Sequence, residues 1–379
     1  MRILLIGEFS RLHNSLKEGL VSLGHEVIIV ANGDGFKNYP ADISTKAKWC
    51  ESKLGNIARQ IVFKLFQFDL ARIEFGIRFY LYLKQLKNFD VVQLINELPI
   101  QTVPFFERYL LTKIFKQNKN VFLLSCSVDY LFARHLMAKE ERYSIMNPYF
   151  ENTLAKKEYR YIFEFLTKGH EKTHHLIYKN CKGVIASDID YVNPIKNEPK
   201  FLGLIPNPIN CNIITYKTPE IEDKIIIFLG INKGTYHTKG ITYFEQALTI
   251  IKTKFSTKVE IIITESIPYN EYINLYNKAH ILLDQVYAYD QGYNALEAMA
   301  KGKVVFTGAE TEFENHYKFS EKVAINALPD VVYLVQKLSF LIENPEEIMA
   351  IGKRARAFIE NEHDYKKIAG KYLEVWKAN

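Results

Sequence analysis

The residues best placed for chemistry lie between positions 230 and 310. Glu297 sits in Asn294-Ala295-Leu296-Glu297-Ala298-Met299-Ala300, a run of helix formers stopped by Gly302. Ahead of it, the apolar run from Ile281 leads into a polar turn closed by Gly292, and Val304-Val305-Phe306 follows as a second apolar run. That pattern predicts strand, turn, short helix and strand. A glycine at such a turn offers bare backbone N–H groups, with the positive end of a helix behind them, to an anion. Tyr293 and Asn294 would lie beside that anion. A carboxylate about one and a half turns into the helix suits paired hydrogen bonds to a vicinal diol such as a nucleotide ribose. The plainer alternative is an ordinary surface glutamate on a Rossmann-like helix.

A second cluster precedes this one. Lys224 to Gly230 reads as a buried strand, and the loop from Ile231 to Gly240 opens a helix carrying Ile241, Phe244, Leu248 and Ile251 on one face. Lys239 ends that loop, just ahead of the helix.

These residues resemble the donor segment of GT-B glycosyltransferases, most nearly the bacterial family 4-like set. The resemblance rests on Gly292, Ala295-Leu296-Glu297-Ala298-Met299-Ala300, Gly302 and the pair Lys239-Gly240. It implies a fold of two Rossmann-like β/α/β domains facing a central cleft, and a donor that is a nucleotide-diphosphate sugar, UDP- or GDP-linked. It assigns Glu297 to the ribose and Lys239 to the diphosphate, whose charge grows as the bond to the sugar breaks, with Gly230 and Lys233 beside the donor nucleotide; otherwise Lys239 is a solvated lysine starting a helix. The family's first glutamate falls at position 289, where this chain has Tyr289, and its arginine after Gly230 is missing, with Lys233 nearest. Asp284 and Asp290 are the carboxylates that could replace the lost one, and Glu310 ends the next strand at the same edge. The resemblance further implies retention of anomeric configuration and an acceptor from a bacterial surface polysaccharide or glycolipid pathway. It implies no metal and no other cofactor.

The remaining chain supplies the elements that hold this site. Residues 2–31 read as β-α-β, with Gly24 closing the helix, and Gly24-His25-Glu26-Val27 is a phrase shared by GT-B amino domains. His13, in the turn region after the first strand, either faces a cleft or packs its own helix. Asp129 follows the strand 121–126 and is the amino-domain candidate for catalysis or sugar contact; otherwise it caps the next helix. Residues 57–88 are helical, basic and aromatic, and either cover the sheet or meet a lipid-linked acceptor or the inner membrane face. Residues 148–180 read as helical over the interdomain region, and 183–187 as the last strand of the first domain. The expected division is 1–200, 201–360, and a terminal helix 361–379 returning to the first domain.

A net charge of +6 without a basic block or recognition motif excludes a nucleic-acid binder. Four scattered cysteines indicate neither zinc nor a disulfide framework. The sequence opens into a strand with no signal-peptide core, which places the chain in the cytoplasm. Two other readings compete. A GT-B-like accessory protein would bind a nucleotide sugar without transferring it, and binding without turnover would mark it. A nicotinamide oxidoreductase would need Gly-x-Gly-x-x-Gly after the first strand, and Gly7 is followed by Glu8 and Phe9 instead.

Overall fold

The computed structural model describes residues 1–217 and 221–379. In chain order its elements are β1 (Arg2–Ile6), α1 (Leu12–Ser22), β2 (Glu26–Ala31), β3 (Ile43–Ser44), α2 (Lys53–Phe66), α3 (Ala71–Tyr82), β4 (Val91–Leu94), α4 (Pro104–Gln117), β5 (Val121–Ser125), α5 (Tyr130–Ala138), α6 (Asn147–Phe150), α7 (Arg160–Phe165), α8 (Lys168–Asn180), β6 (Val184–Ala186) and β7 (Phe201–Leu204). They continue with β8 (Ile225–Ile231), α9 (Ile241–Lys254), β9 (Val259–Glu265), α10 (Tyr269–Lys278), β10 (Ile281–Leu283), α11 (Tyr293–Ala300), β11 (Val304–Thr307), α12 (Thr311–Tyr317), β12 (Ile325–Asn326), α13 (Val331–Glu343), α14 (Pro345–Glu362) and α15 (Tyr365–Ala378). Among the described residues no helix is long and apolar enough to cross a membrane.

Two units emerge. The first holds Met1–His135, Arg160–Pro208 and Tyr365–Asn379, and the second holds Leu136–Tyr159 and Ile209–Asp364. Residues 136–159, assigned on the sequence to the first domain, therefore cluster with the second unit.

In the first unit a parallel sheet runs β3-β2-β1-β4-β5-β6-β7. Its strands read as unbroken apolar runs because helices cover both faces of a parallel sheet; Ile3, Leu4, Leu5 and Ile6 are all fully buried. Residues 183–187 do not end this sheet. β7 follows at its edge, where Phe201-Leu202-Gly203-Leu204 forms a run too short to register against the prolines around it. α15 packs on α1 in this unit, and Gly19 permits it: a Cβ there would lie 2.2 Å from the carbonyl oxygen of Tyr365. Trp376 of α15 donates its indole N–H to Gln93 of β4 at 3.1 Å, both buried.

The second unit is a five-stranded parallel sheet, β12-β11-β10-β8-β9. β10 pairs with β8 on one side and β11 on the other, register Leu282 to Phe228 and to Val305. The turns after these three central strands thus open at one carboxyl edge, where open α/β sheets take ligands. Its core joins Ile227, Leu229, Phe244, Leu248, Ile281, Leu283 and Phe306 with Leu334, Leu338 and Ile351 from the last helices.

Candidate functional site

At the carboxyl edge of the second sheet, Asp284 is the organising group. It directly follows β10, and its side chain is only 1% exposed. One oxygen, Oδ1, accepts from Lys239 Nζ at 2.8 Å and from Asn294 Nδ2 at 2.9 Å. The loop before α9 and the first turn of α11 are therefore tied to one buried carboxylate. The main chain reinforces the tie, since Val286 N–H donates to the Lys239 carbonyl at 2.9 Å. Lys239 keeps 30% of its side chain exposed while its ammonium is anchored on Asp284. Asp284 thus serves as a support for the lysine and the asparagine.

Gly292 caps α11 in an extended conformation, and the nearest atom to a Cβ placed on it would be Gln285 Nε2 at 3.8 Å. Among the described residues no other atom beyond its chain neighbours lies within 4 Å of that point. Tyr293 is half-buried, and Glu297, also half-buried, lies one turn beyond Asn294 on the same helix face. Lys239, Asn294 and Glu297 are thereby brought to one edge through Asp284.

Other candidates fall elsewhere. Gly230 lies inside β8, and its missing side chain makes room for the Tyr272 ring, which a Cβ would meet at 2.6 Å. Lys233, on a short 3-10 turn, pairs with exposed Glu265 at 2.7 Å. Asp290 is buried, and its carboxylate accepts from the N–H of Gln291 at 2.7 Å. Gln291 reaches the Gly308 carbonyl at 2.7 Å while its own Oε1 is buried without a partner.

Tyr289 and Glu310 belong to a clamp that no local pattern in the chain announces. Arg142, from the segment 136–159, places its guanidinium 4.9 Å from the centre of the Tyr289 ring and donates its backbone N–H to the Tyr289 hydroxyl at 3.0 Å. Its side chain holds Glu312 through two 2.8 Å bonds and Glu310 through one of 3.0 Å. Tyr143 donates its hydroxyl to Glu310, whose same oxygen takes Asn326 Nδ2 at 2.8 Å. Glu310 is therefore an anchor with both oxygens bonded, not a carboxylate turned toward a donor. Burial raises the Tyr289 hydroxyl to about 12, and burial with the Glu310 charge drives Tyr143 higher still. Replacing Glu310 with alanine should strip an acceptor from three donors and cost about 1–3 kcal/mol. Trypsin would report it as faster cleavage at Lys139 and Arg142, and unchanged cleavage would show that the segment is held by other contacts.

In the first unit, His13 is fully buried; its Nδ1 donates to the Gly7 carbonyl at 2.7 Å and Nε2 has no partner. It packs its own helix. Asp129 is also buried, accepting from Phe132 N–H at 2.8 Å and Ser125 hydroxyl at 3.0 Å, which caps α5. Behind it, Glu97 and His174 share a 2.6 Å bond, and burial raises Glu97 to about 8 while lowering His174, so that pair is neutral. Burial also lifts Glu8, Glu107 and Asp129 to about 7. His13 is pushed down to about 4.

These shifts set a pH dependence. Between pH 7 and 8 both histidines are largely neutral folded or unfolded. The four carboxyls still hold protons in the native state that the unfolded chain has released. The native state binds more protons, so stability falls as pH rises, by about 1–3 kcal/mol per pH unit, until the native carboxyls ionise too. Both tryptophans, Trp49 and Trp376, lie in this unit, so fluorescence-monitored urea unfolding reads it. A midpoint that stays level or climbs from pH 7 to 8 would show those carboxyls already ionised in the native state. Among the described residues no group of three histidine, cysteine, aspartate or glutamate side chains is placed to hold a metal.

Residues 242–374 match the family described as glycosyl transferase-like. No curated protein sequence matches the chain. Among solved structures, sucrose-phosphate synthase from Thermosynechococcus elongatus aligns at a TM-score of 0.62 with 14% identity, covering 100% of this chain and 98% of that one. Anabaena HepE in complex with UDP and glucose aligns at 0.59 with 10% identity and full coverage of both chains. UDP-GlcNAc 2-epimerase from Neisseria meningitidis, bound to UDP-GlcNAc, aligns at 0.51 with 14% identity and full coverage of both. At such identities these likenesses establish the two-unit GT-B architecture and nothing narrower.

Proposed function

We propose that this chain, a glycosyltransferase of the GT-B fold, takes its sugar from a nucleotide diphosphate held at the carboxyl edge of the second sheet. The observation that carries the reading is the shared support: one buried carboxylate, Asp284, fixes both the Lys239 ammonium and Asn294 at the start of α11. In this reading the diphosphate meets the ammonium and the N–H groups of Gly292 and Tyr293, where charge grows as the glycosidic bond breaks. Glu297 takes the ribose diol. The nucleotide is UDP in the first instance, since HepE is a neighbour described with UDP and with UDP-glucose; GDP is the second to try. The sugar passes with retention to a glycan or lipid-linked acceptor of a surface polysaccharide or glycolipid pathway in the cytoplasm.

The test is titration calorimetry with UDP, GDP and ADP, followed by product analysis with the corresponding sugar nucleotides. One diphosphate should bind with a clear preference over its nucleoside. Equal affinity for nucleoside and diphosphate would remove Lys239 and the helix start from the site.

A further inference from the structure

The helix α2 departs from what an amphipathic helix does in a folded unit. Of its fourteen residues only Gly55 is buried. Leu54, Ile57, Ile61 and Leu65 recur at helical spacing along one side, yet they are 79%, 57%, 54% and 68% exposed. Covering the sheet is thus not what this apolar stripe does. Phe63 and Phe66 are exposed on other faces of the same helix, and Trp49 before it, Tyr80, Leu81 and Tyr82 at the end of α3, and Phe105 and Tyr109 on α4 are exposed too. The Tyr80 and Tyr109 rings, 6.4 Å apart, join α3 to α4 in one surface. An exposed apolar surface of this kind marks a docking face.

Its charge identifies what docks. Residues 46–88 contain nine lysines and arginines against three acidic residues, an excess of six that equals the net charge of the whole chain. The three acids are neutralised within the segment: Glu51 by Lys46, Asp69 by Arg59 and Glu74 by Arg78. Lys53 and Lys64 flank the apolar stripe on one side of α2, and Lys84 and Lys87 follow α3; all four are exposed. Apolar side chains pointing outward, lysines flanking them on long stems and aromatics alongside form the arrangement of a helix lying in the plane of a lipid headgroup layer. A second copy of the chain fits poorly, because a two-fold contact would set this basic face against itself.

We infer that α2, with the adjoining faces of α3 and α4, docks the protein on an anionic lipid surface. The stripe enters the acyl boundary while Lys53 and Lys64 remain at headgroup level. Nothing in this inference depends on the donor site.

The full chain should sediment with vesicles made of equal parts phosphatidylcholine and phosphatidylglycerol, stay in solution with phosphatidylcholine alone, and be released by salt. A Lys53→Gln/Lys64→Gln variant should bind the anionic vesicles about 30-fold more weakly, at about 1 kcal/mol for each lysine removed. An Ile57→Ser/Ile61→Ser/Leu65→Ser variant should lose vesicle binding altogether. Because the three side chains are exposed, its circular dichroism and melting point should stay those of the parent. UDP titration should also be unchanged in both variants, which separates this test from that of the donor site. Three results would overturn the proposal: no sedimentation of the parent with anionic vesicles, equal sedimentation of the serine variant, or a dimer that the serine changes dissociate while the parent ignores vesicles.

Discussion

Replacing Lys239 with alanine should lower kcat about 100- to 1,000-fold, the largest effect of any single side chain in the donor site. Lys239 is fixed by Asp284 at 2.8 Å and keeps 30% of its side chain exposed. It therefore requires little reorganisation when negative charge arrives from the diphosphate, and it matters most when that charge peaks. Two effects combine in the alanine variant. The cation is lost, and a carboxylate only 1% exposed is left beside the place where the diphosphate would sit. The second effect costs about 1–3 kcal/mol of stability by itself. The double variant Lys239→Ala/Asp284→Asn separates them: it should recover melting temperature without recovering turnover. UDP affinity should fall in both variants while uridine affinity holds. Turnover within tenfold of the parent in Lys239→Ala would exclude the lysine from leaving-group stabilisation, whatever happens to binding.

The elements around this site were legible because their periodicities are strong. Ile281-Leu282-Leu283, the helix formers Asn294 to Ala300 and Gly302 specify β10 and α11 locally, and Lys224 to Gly230 does the same for β8. The pairing of Lys239 with Asp284 was not readable from spacing, since forty-five positions separate them and only the β8–β10 register brings their loops together. Arg142 was further beyond reach. It lies 147 positions from Tyr289, and nothing local marks it as part of the second unit. Three short strands, β3, β7 and β12, were missed because two, four and two residues are too few to show a period. Gly230 shows the opposite failure. The resemblance set it beside the donor nucleotide, but its lack of a side chain is explained by Tyr272 arriving from α10. The outward face of α2 is the most informative mismatch: the sequence showed the amphipathic pattern, while only the fold showed that its apolar side has no protein against it.

Glu297→Ala should weaken UDP binding by about 1.5–3 kcal/mol, roughly 10- to 150-fold, the range for hydrogen bonds to a charged group. Its signature should be the reverse of the Lys239 effect. A carboxylate that grips the ribose serves uridine and UDP alike, so both should lose affinity by the same factor, whereas the lysine distinguishes them. The position supports that role. α11 is short, its first turn is tied to Asp284 through Asn294, and Glu297 follows Asn294 by one turn on the same face. A 2′,3′-dideoxyuridine nucleotide completes the argument, because the parent and Glu297→Ala should bind it equally when the hydroxyls that the carboxylate grips are gone. Glu297→Gln, which keeps one acceptor and loses the charge, should fall between the two. If the alanine variant binds UDP as tightly as the parent, or if the dideoxy analogue still tells them apart, the carboxylate acts somewhere other than on the ribose.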